Sequence, residues 1–204
     1  MNRAVFFIVA VALTCSLVSG DSARAQGKKK MKAPSQEEMM KRWQEVMTPG
    51  DPHKKLEQMV GTWDAETKMW MNGPNAEPSV STGTMEMKMV LGGRYLMQDF
   101  TGTMMDSPFN GIGYMGYDNF KKKYFGSWID NMSTGMSTME GTMDKAGNTL
   151  TMWGKMDEPM TGEKNKPVKY VVTLIDNNKH VFEVYDVKSY GEKKPVMQIT
   201  YTRK

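Results

Sequence analysis

The run Asp51-Pro52-His53-Lys54-Lys55-Leu56-Glu57-Gln58-Met59-Val60-Gly61-Thr62-Trp63 decides how this chain is read. Asp51 is of the type that caps helices, and Pro52 suits the first helical position, where a missing N–H costs nothing. Leu56, Met59 and Val60 recur at helical spacing and form one apolar side. Gly61 is the natural stop. The chain then enters a strand through Gly61-Thr62-Trp63, and strand-and-turn grammar continues to the end.

Downstream of Trp63 the pattern predicts strands at about 62–71, 81–91, 94–104, 109–117, 122–130, 134–143, 148–156, 168–176, 180–188 and 195–203. Turn signals separate them, among them Asn72-Gly73-Pro74, Gly92-Gly93, Asp106-Ser107-Pro108, Asp118-Asn119, Asp144-Lys145-Ala146-Gly147 and Asp176-Asn177-Asn178. Many short strands joined by short links argue for an antiparallel up-and-down sheet, which closure into a barrel would complete by removing its edges. Side chains two apart share a face. Met85, Met87, Met89 and Leu91 therefore fall together, with Thr84, Glu86 and Lys88 opposite; Glu86 and Lys88 are costly to bury, so the methionine face should point inward. Trp63, Ala65, Thr67 and Met69 make one face of the first strand, and Met197, Ile199, Tyr201 and Arg203 one face of the last.

Upstream, Ser35-Gln36-Glu37-Glu38 is a capping-box pattern, followed by Met39, Met40, Trp43, Val46 and Met47 in one helical stripe up to Pro49-Gly50. That stripe is expected to dock on the barrel wall. Before it, Arg3, the apolar stretch Ala4 to Leu13 and Ala23-Arg24-Ala25 read as an export signal with cleavage ahead of Gln26. The expected organisation is a signal peptide at 1–25, a flexible basic tail at 26–35 with Lys28-Lys29-Lys30 and Lys32, a helical segment at 36–60 and a β-barrel domain at 61–204. The apolar stretch is shorter than the roughly 20 residues of a membrane span, and no transmembrane segment is expected. A periplasmic or extracellular location follows.

Composition narrows the chemistry. Cys15, the only cysteine, would leave with the signal, so thiolate metal sites and cysteine nucleophiles are excluded from the exported form. Its net charge would be +3, from 25 basic and 22 acidic residues, and neither basic cluster is interleaved with aromatics as a nucleic-acid surface would be. No P-loop, dinucleotide fingerprint, G-x-S-x-G or H-E-x-x-H motif is present. Glu66, Asp99, Asp130 and Glu140 lie in strands and read as outward, solvated charge. His53 and His180 are the only histidines; their separation does not support a zinc site, and one histidine alone is a weak basis for haem. No cofactor is implied.

Methionine is abundant, 22 after signal removal. Thioethers suit Cu(I), and Met69-Trp70-Met71 and Met85-Glu86-Met87-Lys88-Met89 pair sulfurs on one face. Residues two apart in a strand lie about 7 Å apart, too far for one metal without a cross-strand sulfur. Methionine as an adaptable apolar filler or pocket wall is the simpler reading.

Several ordered motifs carry a resemblance: Pro49-Gly50 through Gly61-Thr62-Trp63, Gly92-Gly93-Arg94-Tyr95-Leu96, Gly111-Ile112-Gly113-Tyr114-Met115-Gly116-Tyr117-Asp118-Asn119, Trp128-Ile129-Asp130-Asn131-Met132, Met160-Thr161-Gly162 and Ile199-Thr200-Tyr201-Thr202-Arg203. Over residues 36–204 the chain resembles bacterial proteins grouped as domain of unknown function 1579. The resemblance implies a lipocalin-like, or calycin-like, barrel and implies no activity. It also implies that Arg203 on the last strand covers Trp63 by a cation–π contact at the closed end.

The expected fold is all-β: an antiparallel up-and-down calycin-like barrel of about 8–10 strands with short N-terminal helices. The expected function is non-covalent binding of a small, largely apolar molecule inside it. Met87, Met97, Tyr114, Trp128 and Met136 are the expected lining, with Gly126 leaving room beside the rings. The alternatives are a soft-metal binder, a barrel enzyme of isomerase or lyase type, and a barrel filled by its own side chains. The sequence sets no oligomeric state.

Overall fold

The structure is a computed structural model and describes residues 33–204. The expected signal peptide and most of the expected basic tail lie outside the described residues. Two helices come first, α1 (Gln36–Met47) and α2 (Asp51–Glu57). Ten strands follow: β1 (Gly61–Met69), β2 (Ser79–Val90), β3 (Tyr95–Met104), β4 (Ser107–Asp118), β5 (Lys123–Asp130), β6 (Ser137–Met143), β7 (Thr149–Glu158), β8 (Glu163–Asp176), β9 (Lys179–Asp186) and β10 (Met197–Arg203). Each pairs antiparallel with its neighbours in sequence, and β10 closes on β1, so the sheet has no free edge.

All ten expected strands exist, with shifted ends. The largest shift is at the start of β8, expected near 168 and found at Glu163, and β9, expected to run to 188, ends two residues early. There β9 stops at Asp186, whose carboxylate accepts from Ser189 N at 3.1 Å and caps a single helical turn, α3 (Val187–Tyr190). This local alternative to the ladder is characteristic of Asp. Similarly, Gly50 rather than Asp51 caps α2. Its N–H donates to His53 Nδ1 at 3.1 Å, a cap made by a side chain inside the helix.

α2 plugs one end of the barrel. Leu56 is fully buried and Met59 is 3 % exposed, and both join the barrel core. Burying a leucine this completely stabilises by about 2 kcal/mol. Trp63 Nε1 donates to Met59 O at 2.9 Å, and Tyr124 Oη donates to Pro52 O at 3.2 Å, so polar bonds pin the plug to two walls. Gly61 has φ +138°, and a Cβ there would lie 2.4 Å from Arg203 Nη1. The positive φ calls for glycine at the start of the Gly-x-Trp motif, where the Arg203 guanidinium passes beside it.

The methionine face of β2 points inward: Met85 and Met87 are buried, Met89 is half-buried, and Glu86 and Lys88 are exposed. Leu91 leaves that face; it sits exposed in the following turn at φ +51°. The α1 stripe does not dock on the wall. Met39, Met40, Trp43, Val46 and Met47 are all exposed, and α1 has no buried residue. α2, not α1, fills the end of the barrel and joins its core. Among the described residues, no helix is long and apolar enough to cross a membrane.

Candidate ligand-binding lumen

Alternation places one residue in two inside. Toward the plug Trp63, Met85, Met87, Leu96, Leu150, Met152 and Tyr201 are buried on the inner face, and Met89, Tyr117, Met143 and Leu174 are partly buried. At this end Arg203 Cζ lies 4.0 Å from the Trp63 ring centroid. Arg203 Nε donates to Asn177 O at 2.7 Å, Nη1 to Val60 O at 2.6 Å and Nη2 to Gln58 O at 3.0 Å. One guanidinium therefore joins the last strand, the β8–β9 turn and the chain leaving α2. His180 is 2 % exposed, stacks on Tyr201 at 4.5 Å and meets Trp63 edge-on at 4.4 Å. Its Nδ1 has no hydrogen-bond partner. Burial, helped by the Arg203 charge, lowers its pKa from 6.5 to about 4, so the ring is neutral. Burial raises the Tyr201 hydroxyl.

Toward the other end Trp128, Met139, Met156, Phe182, Val184 and Ile199 point inward and are partly buried, while Phe100 and Phe109 on the same inner face are buried. The row Gln98–Gly113–Trp128–Ser137 crosses β3 to β6 at one level. A Cβ on Gly111 would lie 2.1 Å from Trp128 Cζ2, and one on Gly113 2.9 Å from Trp128 Cε3 and from Gln98 Oε1. The indole therefore lies against a glycine wall on β4. Its Nε1 donates to Asp130 Oδ2 at 3.1 Å, which fixes the ring about its own strand. The next row alternates small and large, Gly126–Met139–Gly154–Val168.

Polar groups at this end are few. Lys166 Nζ pairs with Asp186 Oδ2 at 2.6 Å, with side-chain exposures of 8 % and 10 %. Burial would push the Asp186 carboxyl up, but bonds from Lys166 and Ser189 outweigh it and hold the pKa below its usual value. The hydrogen bond to Asp186 raises the Lys166 ammonium. Both groups are thus charged near neutral pH and compensate each other. Each loop on this side carries an exposed apolar residue: Met71, Met105, Met132 and Met136, Met160, and Tyr190.

Of the expected lining, Met87 and Trp128 face inward, Met87 buried and Trp128 partly buried. Met97 and Tyr114 are neighbours on the outer face, paired with each other and flanked by Lys88 and Ser127. Sequence alternation assigns each strand two faces but does not name the inner one. In β3 it is the Leu96, Gln98 and Phe100 face, and in β4 the Phe109, Gly111, Gly113 and Met115 face. Met136 is exposed in the β5–β6 loop. Gly126 meets Met139 and does not seat Trp128; Gly111 and Gly113 do. Asp130, expected outward, points in; Glu66, Asp99 and Glu140 are exposed as expected. Gln98, Met156, Phe182 and Val184 were not singled out from the sequence, although the glycines of Gly-x-Gly at 111–113 signal a wall built for a ring.

Two cavities lie elsewhere. One of about 190 Å³ sits at the plug end beside His180, lined by Lys55, Gln58, Met59, Trp63, Asn148 and the β8–β9 hairpin. The other, about 680 Å³, is an open polar trough on the outer surface of β1, β2 and β10. None of the five expected lining residues borders either. Met85 and Met87, the candidate thioether pair, are packed in the core. Among the described residues, no group of three or more His, Cys, Asp or Glu side chains is placed to hold a metal ion.

The architecture is that of a closed calycin-like barrel with an N-terminal plug. A family model described as "Protein of unknown function (DUF1579)" matches residues 48–203, and the chain belongs to that family. Among solved structures, Rv2717c from M. tuberculosis is similar in fold: 12 % identity, TM-score 0.53, covering 76 % of this chain and 99 % of that one. A redesigned β-barrel, mFAP1, solved bound to DFHBI, aligns at 14 % identity and TM-score 0.38, covering 73 % of this chain and 98 % of its own. No curated protein matches.

Proposed function

We propose that the protein is an exported binder of a small, largely apolar molecule, held in the half of the barrel away from α2. The observation that carries the reading is the inward, partly uncovered Trp128, seated against Gly111 and Gly113 and held by Asp130, with Met139, Met156, Phe182, Val184 and Ile199 also inward and partly uncovered toward the mouth. A lining of aromatic, thioether and branched side chains, with a few polar groups at fixed positions, is the usual lining of a small-molecule site. Methionine adapts its shape to the guest, and Trp128 offers a flat face held by Asp130. Gln98 supplies an amide beside that face. The export signal read at 1–25 sets the proposed location.

An apolar fluorescent dye titrated into the protein, with fatty acids as competitors, tests the reading. The dye should bind and be displaced. Trp128→Ala should weaken binding at least about tenfold, equivalent to about 1.4 kcal/mol. Phe182→Asp should weaken it as well, whereas Tyr114→Ala on the outer face should leave it unchanged. Binding that survives both inner substitutions would refute the lumen as the site.

A further inference from the structure

The plug end presents an apolar surface that is firmly built and left uncovered. On α1, Met39, Met40, Trp43, Val46 and Met47 lie on one side of the helix at spacings of three, four and seven, and all are exposed, Trp43 at 62 %. The helix is tied down at its C-terminal end. Asn119 Nδ2 donates to the carbonyls of Glu45, Val46 and Thr48 at 3.0, 3.2 and 2.8 Å, and Arg94 Nη2 donates to Met47 O at 2.7 Å. The Asn119 turn also projects Phe120, which is 81 % exposed. That turn is fixed by Asp118, whose carboxylate accepts from Phe120 N at 2.8 Å and Lys121 N at 3.0 Å. The bond from Lys121 is the chief cause that lowers the Asp118 pKa. An aromatic held out into water by an ordered turn, next to an amphipathic helix pinned by the same turn, is a surface made for an apolar partner.

Charge identifies the partner. Residues 26–47 hold six basic side chains against three acidic ones, with Lys28, Lys29, Lys30 and Lys32 directly ahead of the helix, and Lys121-Lys122-Lys123 follows Phe120. Basic residues flanking an amphipathic helix and an exposed aromatic match the boundary between anionic headgroups and acyl chains. Methionine and Trp tolerate the irregular, fluid packing of that layer. We propose that this end docks on an anionic phospholipid surface, with Phe120 and the Trp43 side of α1 at the headgroup level. The β1–β2, β3–β4, β5–β6, β7–β8 and β9–β10 loops, at the mouth, lie at the other end of the barrel. Docking and lumen binding are therefore separate functions of separate surfaces.

Gln36–Lys204 forms a compact unit, so the chain from Gln26 onward is the form to test, free of the apolar 4–13 stretch that would itself partition into lipid. It should co-sediment with vesicles of phosphatidylcholine containing phosphatidylglycerol and not with vesicles of phosphatidylcholine alone. Raising the salt to about 0.5 M should weaken binding, because the Debye length shortens. The Trp43→Asp/Phe120→Asp variant should bind at least about tenfold more weakly with unchanged circular dichroism, since both side chains are exposed. Trp43→Phe should keep co-sedimentation but lose a blue shift of Trp emission on vesicles. Absence of vesicle binding, equal binding to neutral vesicles, or an unaffected double variant would overturn the proposal. So would a dimer in sedimentation velocity that the double variant dissolves, which would make this face a contact between two copies.

Discussion

Acidification from about pH 7 to pH 4 probes the packing around His180 directly. In the folded chain this ring is buried among Trp63, Tyr201 and Arg203, and its pKa falls from 6.5 to about 4. In the unfolded chain it regains its ordinary value. Below pH 6.5 the unfolded state therefore takes up a proton that the folded state refuses. The stabilisation is complete above that pH and is lost as pH falls toward 4. A difference from 6.5 to about 4 corresponds to about 3 kcal/mol. His53 acts in the same direction, burial again being the main cause. His180→Phe separates the histidine from the carboxylates that also titrate in this window. Phenylalanine keeps the stacking and edge contacts, removes the unpaired Nδ1, and has space because position 180 borders the 190 Å³ cavity. The variant should be as stable as the wild type near pH 7 or more so, because an unsatisfied buried polar group costs about 1–3 kcal/mol. Urea unfolding at a series of pH values, followed by Trp fluorescence, should show the wild type losing about 3 kcal/mol more than the variant across the window. Equal losses would refute the assignment of a buried, neutral His180.

Two further predictions concern the ends of the barrel. Arg203→Ala removes three hydrogen bonds and the face contact with Trp63, and should cost at least about 3 kcal/mol in urea unfolding; Arg203→Lys should recover less than half of that, since an ammonium cannot reproduce the planar fork. Lys166→Met leaves the Asp186 carboxylate buried without its partner and should cost about 3–5 kcal/mol, whereas Lys166→Met/Asp186→Asn, which keeps a side-chain oxygen for Ser189 N, should be distinctly less destabilised; a double variant as unstable as the single one would show that the pair is not coupled.

Much of the architecture is local and so was legible in the residues themselves. Turn dipeptides and period-two alternation located ten strands, because backbone geometry alone sets both signals. The plug helix and its glycine exit were readable for the same reason. The inward methionines of β2 followed from the cost of burying Glu86 and Lys88. In β3 and β4 alternation could not choose a face. Both faces of β4 carry a large residue, Tyr114 on one and Met115 on the other, and only closure of the barrel decided that Met115 goes in. The same holds for His180. Its sequence neighbours say nothing of burial, and its altered proton affinity arises from Trp63, Tyr201 and Arg203, residues brought to it by the pairing of β9 with β10 and of β10 with β1. The stripe on α1 was legible as amphipathic, but whether a stripe meets the chain's own core depends on what core is left to cover. Here α2 fills the barrel's end while the α1 stripe stays exposed, a difference that exists only in three dimensions.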